Sequence, residues 1–244
     1  MQIKRWMQGL GVVYILLLLG ICLPGWKMVR SEGEVQSTVK QTEKQQKGEQ
    51  ETEAGEKEKP KIALTFDDGP NASYTPILLD GLEKRGVKAT FFLIGKNIEI
   101  GENVEIVKRE QEEGHLIGNH TYNHVEITKM DDESAYQELS RTNEIIEGIT
   151  GERVEFMRPP FGLWQKTLEK KIHVLPVMWT VDPLDWATEN VDEIVNKVVT
   201  EVEENDIILL HDCYDSSVKA ALRIVDLLTA EGYEFVTVDE LLLE

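Results

Sequence analysis

The sequence predicts an α/β domain on a parallel sheet, of a length that suits a closed or nearly closed barrel. Two observations carry this expectation. From Lys61 to Glu244, short apolar runs alternate with amphipathic stretches of helical period. The chemically active side chains then fall just past the apolar runs, as they do where the C-terminal ends of parallel strands converge on one face.

The elements follow in order. Residues 62–66 (Ile-Ala-Leu-Thr-Phe) read as a strand that delivers Asp67 and Asp68 to Gly69-Pro70. Residues 75–85 read as a helix with Ile77, Leu78 and Leu82 on one face, ended by Gly86. Residues 89–94 are a strand of Thr and Phe. A helix over 103–113 is closed by Gly114. A very short strand at 116–118 precedes His120-Thr121-Tyr122-Asn123-His124. A long helix over 133–149 offers Leu139, Ile145, Ile146 and Ile149 as apolar contacts. A strand at 154–157 runs into Arg158-Pro159-Pro160-Phe161, and another at 174–180 into Asp182 and Asp185-Trp186. Helices over 191–202 and 217–230 flank a strand at 207–210 that ends on His211. A strand at 234–238 completes the set, and no internal repeat is visible.

One carboxylate oxygen and two imidazole nitrogens make a three-ligand set of the kind catalytic zinc uses, with one position open for water. Asp68, His120 and His124 offer such a set. The second carboxylate, Asp67, is then free to take a proton from that water. Each group alone has a plainer reading: Asp-Asp-Gly-Pro as a turn, the two histidines as a surface pair, Arg158 as a stray loop charge, His211 as a core histidine, and Trp186 and Leu209 as plain core. Their joint placement at strand ends favours a metal-assisted hydrolase. A rigid Pro-Pro turn also suits a guanidinium fixed beside a carboxylate. His115 and His173 match nothing and read as structural.

The 244 residues carry a net charge of -19, which repels a polyanion, and no dense Lys/Arg cluster offers a nucleic-acid groove. An uncharged run lies between Lys4-Arg5 and Lys27, bracketed by Trp6 and Trp26. About 20 apolar residues suffice to span the roughly 30 Å hydrocarbon layer. Residues 1–30 therefore read as a membrane anchor, with a cleaved signal peptide or a lipid-modified Cys22 as alternatives, and all three readings export the domain. Residues 31–60 are Gln, Glu and Lys with almost no apolar side chain, and read as a disordered tether, with a helical stalk as the competing view. The cysteines, Cys22 and Cys213, lie too differently placed to pair, so the domain relies on its core.

Thr65-Phe66-Asp67-Asp68-Gly69-Pro70, His120-Thr121-Tyr122-Asn123-His124, Arg158-Pro159-Pro160-Phe161, Asp182-Pro183-Leu184-Asp185-Trp186 and Leu209-Leu210-His211, in this order, resemble the five motifs of NodB-type polysaccharide deacetylases, carbohydrate esterase family four. The resemblance covers about three-quarters of the chain, from Lys61 to the C-terminus. It implies a distorted (β/α) barrel of about seven strands, a divalent metal, and hydrolysis of N-acetyl groups on amino sugars. It implies zinc first, with cobalt or nickel as alternatives, on Asp68, His120 and His124. Asp67 would be the general base and His211 the general acid. Arg158 would orient Asp67 and keep it ionised, and Asp185 would pair with His211. Trp186 and Leu209 would line the acetyl pocket, and the backbone N–H near Phe161 would help hold the oxyanion. Asp182 and Cys213 receive no role. The expected substrate is a cell-wall or extracellular glycan, peptidoglycan N-acetylglucosamine first. N-acetylmuramic acid, chitin-like oligomers and poly-N-acetylglucosamine are alternatives. A non-catalytic glycan-binding surface protein is the reading from a different class. The oligomeric state leaves no mark on the sequence.

Overall fold

A computed structural model of the chain describes residues 59–243. The expected membrane segment at 1–30 lies outside the described residues, as does the tether at 31–60 except for its last two positions. Among the described residues no helix is long and apolar enough to cross a membrane.

Seven strands, all parallel, form one curled sheet, a half-barrel: β1 (Lys61–Asp67), β2 (Thr90–Leu93), β3 (Leu116–Asn119), β4 (Phe156–Met157), β5 (Leu175–Pro176), β6 (Ile207–His211) and β7 (Glu234–Val236). The spatial order is β5-β4-β3-β2-β1-β6, with β7 paired to the start of β1. The helices are α1 (Thr75–Glu83), α2 (Gly95–Ile98), α3 (Asn103–Glu112), α4 (Asp132–Thr150), α5 (Val191–Glu201), α6 (Asp215–Ala230) and α7 (Val238–Leu243).

β1 is buried on both faces, which is the condition of a central parallel strand. Its period of two sorts the side chains. Ile62, Leu64 and Phe66 join the large cluster with Leu78, Leu79 and Leu82 of α1 and Ile224, Val225 and Leu228 of α6. Ala63 faces the other way, into a small cluster with Phe92, Phe156, Val177, Ile207 and Val238 that fills the floor of the half-barrel. Thr65 and Asp67 share the face of Ala63, above that floor. The register sets Asp67 beside His211 on β6 and Phe92 on β2, so three interior positions meet at one level. Gly118 is required there, because a Cβ on it would stand 2.5 Å from the Phe92 ring.

Several expectations are corrected. The strand expected over 174–180 survives only as Leu175–Pro176. Beyond it the carbonyls of Val177 and Met178 turn to the Arg158 guanidinium. The same segment then reaches β6, where Val181 bridges Ile208, so residues 175–181 join the two edges of the sheet. The strand expected at 154–157 shrinks to Phe156–Met157. Ile77, placed on the buried face of α1, is 54% exposed, and Leu79 is buried instead. The C-terminal run expected as strand to residue 238 ends at Val236 and becomes α7, whose Glu240 accepts from the Thr237 N–H. On α4, Leu139 and Ile146 are buried as expected, with Ile145 and Ile149 packed at the margin.

Candidate active site

The turn after β1 and the loop after β3 bring Asp68, His120 and His124 together. Asp68 Oδ1 lies 3.5 Å from His120 Nε2 and 3.3 Å from His124 Nε2. It is hidden from solvent and has no hydrogen-bond partner in the protein. A buried acceptor facing two ring nitrogens calls for a cation between them. His120 Nδ1 donates to the Arg158 carbonyl at 2.7 Å, which fixes the tautomer and leaves Nε2 with its lone pair toward Asp68. The three ligand atoms lie within 4.8 Å of one another, the one such cluster among the described residues. The residues present thus fit a divalent metal. Asp68, Thr121 and His124 all have positive φ (73°, 64° and 55°), a conformation that side chains with Cβ rarely adopt. Glu138 of α4 holds the histidine loop by accepting from the Tyr122 and Asn123 N–H groups.

Arg158 is fully buried. Its Nη1 donates to Asp67 Oδ1 at 2.9 Å and to Thr65 Oγ1 at 2.6 Å, while Nε and Nη2 donate to the carbonyls of Val177 and Met178 at 3.2 Å. Its guanidinium lies 4.4 Å over the Phe92 ring. Burial lowers its pKa, and the Asp67 charge and hydrogen bond oppose that. Asp67 Oδ2 stands 3.8 Å from His120 Nε2, so this carboxylate borders the metal site while its other oxygen is anchored.

Across the register from Asp67, the His211 backbone N–H donates to Asp185 Oδ2 and its Nδ1 pairs with Asp185 Oδ1, both at 2.8 Å. Nε2 is the ring nitrogen left over. Burial works against a charged ring, but the Asp185 hydrogen bond and the charges of Asp185, Asp67 and Asp68 outweigh it and raise the pKa from 6.5 to about 9. The raised value means that this pairing stabilises the fold fully below about 6.5, and that its contribution is lost as pH rises through about 9. Asp185→Asn removes the leading raising cause. An NMR titration of metal-free protein should find the His211 ring losing its proton at clearly lower pH in this variant. An unmoved titration would mean that Asp185 does not charge the ring.

These groups share one cavity of about 370 Å³, lined by Asp67, Asp68, His120, His124, His211 and a wall of Phe161, Trp179, Trp186, Leu209, Tyr214 and Asp182. Of the two residues expected to line the acetyl pocket, Leu209 is buried in the cavity wall, whereas Trp186 (57% exposed) stands at its rim, as does Phe161 (61%), whose neighbourhood was expected to supply the oxyanion N–H. The Phe161 ring meets His124 edge-on at 5.1 Å, on a backbone with φ 62°. Asp182 lines the cavity and accepts from the Leu184 N–H. Trp179 and Tyr214 are lining residues that the sequence reading missed; nothing but their neighbourhood to Asp182 and His211 marked them. His115, read as structural, is buried, accepts from the Ala89 N–H, and is pushed down to about 4, first by burial. Cys213 is a free thiol whose pKa burial, then the Asp68 and Asp212 charges, raise to about 12.

A family model described as polysaccharide deacetylase matches residues 54–178, half of the chain. The chain belongs to the polysaccharide deacetylase family. This polysaccharide deacetylase domain is 38% identical over 181 residues to the peptidoglycan-N-acetylglucosamine deacetylase PgdA of Listeria monocytogenes, a match covering 74% of this chain and 38% of that protein. The chain thus spans well under half the length of that relative. A peptidoglycan-N-acetylglucosamine deacetylase of Bacillus cereus is 38% identical over 75% of this chain and 69% of its own length. The structure of the peptidoglycan deacetylase PdaC from Bacillus subtilis superposes with a TM-score of 0.72 at 38% identity, over 75% of this chain and 90% of that one.

Proposed function

We propose that the domain hydrolyses N-acetyl groups from the amino sugars of a cell-wall glycan, releasing acetate, with peptidoglycan N-acetylglucosamine as the first substrate. The observation that carries this reading is the cavity in which Asp68, His120 and His124 converge beside an Arg158-anchored Asp67 and face the His211–Asp185 pair. Similarity to peptidoglycan deacetylases supports the choice of polymer. N-acetylmuramic acid, chitin oligomers and poly-N-acetylglucosamine are the alternative substrates.

Zinc, or cobalt or nickel in the same donor set, would polarise the acetyl carbonyl and render water acidic enough to lose a proton near neutral pH. Asp68, His120 and His124 would hold it. Asp67, anchored by Arg158, takes the proton from the attacking water. His211, charged through Asp185, gives its Nε2 proton to the leaving amine. Leu209 and Trp186 take the acetyl methyl, and the N–H near Phe161 supports the oxyanion. For the whole chain the arrangement proposed is a membrane anchor at 1–30, a disordered tether at 31–60 and a distorted (β/α) barrel at 61–244, with the catalytic domain outside the cell. Secretion after signal cleavage is the alternative.

Acetate release from a panel of purified peptidoglycan, chitin oligomers and poly-N-acetylglucosamine tests the proposal, with chelation expected to abolish it. Glycan binding without acetate release from any of the panel, by metal-loaded protein, would instead support a non-catalytic binder. The buried Arg158–Asp67 and His211–Asp185 pairs weigh against that outcome, since a binder needs neither.

His211 can be tested separately. His211→Asn should cut turnover on the amide by about 10²–10⁴, as for a lost proton donor. It should cut turnover far less on an activated acetate ester, whose leaving group needs no proton. Equal losses on both substrates would assign His211 to shaping the pocket.

A further inference from the structure

Asp212 follows His211 directly and is fully buried. Its Oδ2 accepts from the Thr75 hydroxyl. That hydroxyl in turn accepts from the Asn71 N–H at 2.8 Å. A Cβ on Gly69 would stand 2.6 Å and 2.8 Å from the two Asp212 oxygens. Gly69 is not among the residues with positive φ, so its lack of a side chain serves the close approach of this carboxyl. The Asp212 side chain therefore sits directly beneath residues 69–71, the turn that begins at Asp68. The other side of that turn is held by Asn97 Nδ2 on the Asp68 carbonyl at 2.8 Å and the Ile94 N–H on the Gly69 carbonyl at 3.0 Å.

A carboxyl buried 137 positions from its hydroxyl partner is costly unless something depends on it. Its other oxygen has no hydrogen-bond partner in the protein, so an apolar residue could fill the space with less desolvation. What Asp212 does that an apolar residue could not is accept from Thr75. Through that contact it ties the turn bearing Asp68 to the strand end bearing His211.

We propose that Asp212, acting through Thr75 and against Gly69, is a positioning residue that fixes the Asp68 turn to the end of β6, so that the metal ligand and the proton donor move as one unit. The inference rests on the reading of Asp68, His120 and His124 as a metal site. It is tested by zinc titration of the metal-free full chain, together with amide turnover and thermal unfolding, in Asp212→Ala, Thr75→Val and Thr75→Ser. Asp212→Ala and Thr75→Val should each weaken zinc binding by about 10–100-fold, the usual effect of losing a group that orients a ligand. Thr75→Ser keeps the hydroxyl and should bind zinc as the wild type does. The double variant should be no worse than Thr75→Val, which by itself already breaks the contact to Asp212 along with the Asn71 N–H bond. Should Asp212→Ala not fold, the isosteric Thr75→Val carries the test. Zinc binding unchanged in Thr75→Val, with only the melting temperature lowered, would overturn the proposal and make the pair a packing feature. A wild-type chain that bound no zinc would overturn the metal-site reading and this inference together.

Discussion

Asp67→Asn should lower turnover by at least about two orders of magnitude while leaving the metal in place. An amide of the same shape can still accept from Arg158 Nη1, which now reaches Asp67 Oδ1 at 2.9 Å, so the geometry should hold. What disappears is the basicity of the oxygen that borders the metal site, 3.8 Å from His120 Nε2. The neighbouring exchange, Asp68→Asn, should weaken metal binding as well, because Asp68 Oδ1 is the oxygen that both Nε2 atoms face. Metal content and steady-state rate, measured on the two variants side by side, separate the roles. If the phenotypes came out exchanged, base and ligand would have to be swapped.

The second large effect belongs to Arg158. Arg158→Met keeps most of the volume but leaves Asp67 buried without its partner, and removal of one member of a buried pair costs about 3–5 kcal/mol. The loss reaches further than the pair. The same guanidinium holds Thr65 Oγ1 and the carbonyls of Val177 and Met178, on the segment that joins the two edges of the sheet. For a domain of this size the melting temperature should fall by about ten degrees or more. Arg158→Lys keeps the charge, yet one ammonium cannot present the planar fork that reaches four acceptors. Thermal unfolding of both variants is the measurement. A lysine variant as stable as the wild type would show that only the charge matters.

The arrangement of chemical groups was legible because period and topology do the placing. Once residues 62–66 and 207–210 read as strands of a parallel sheet, Asp67 and His211 had to fall at strand ends on one face; the pairing that sets them side by side is seen in the structure. What could not be read was the backbone that leaves regular structure. Residues 177–181 look like strand by composition, but a buried arginine takes their carbonyls, and no local signal announces a partner 19 or 20 positions away. Ile77 was misplaced because helical period alone does not tell which apolar neighbour faces the core. Val238 looked like a strand residue until Glu240 capped the helix that begins there. The positive φ of Thr121, His124 and Phe161 likewise leaves no mark in composition, and neither does the hold of Glu138 on the histidine loop from 15 positions away.

Cys213 stands two positions from His211, beside this chemistry. Burial, then the Asp68 and Asp212 charges, raise its thiol to about 12 and so favour the thiol over the thiolate. Oxidants attack the thiolate, so a domain exported as proposed above would meet an oxidising milieu with this sulfhydryl held in its less reactive form.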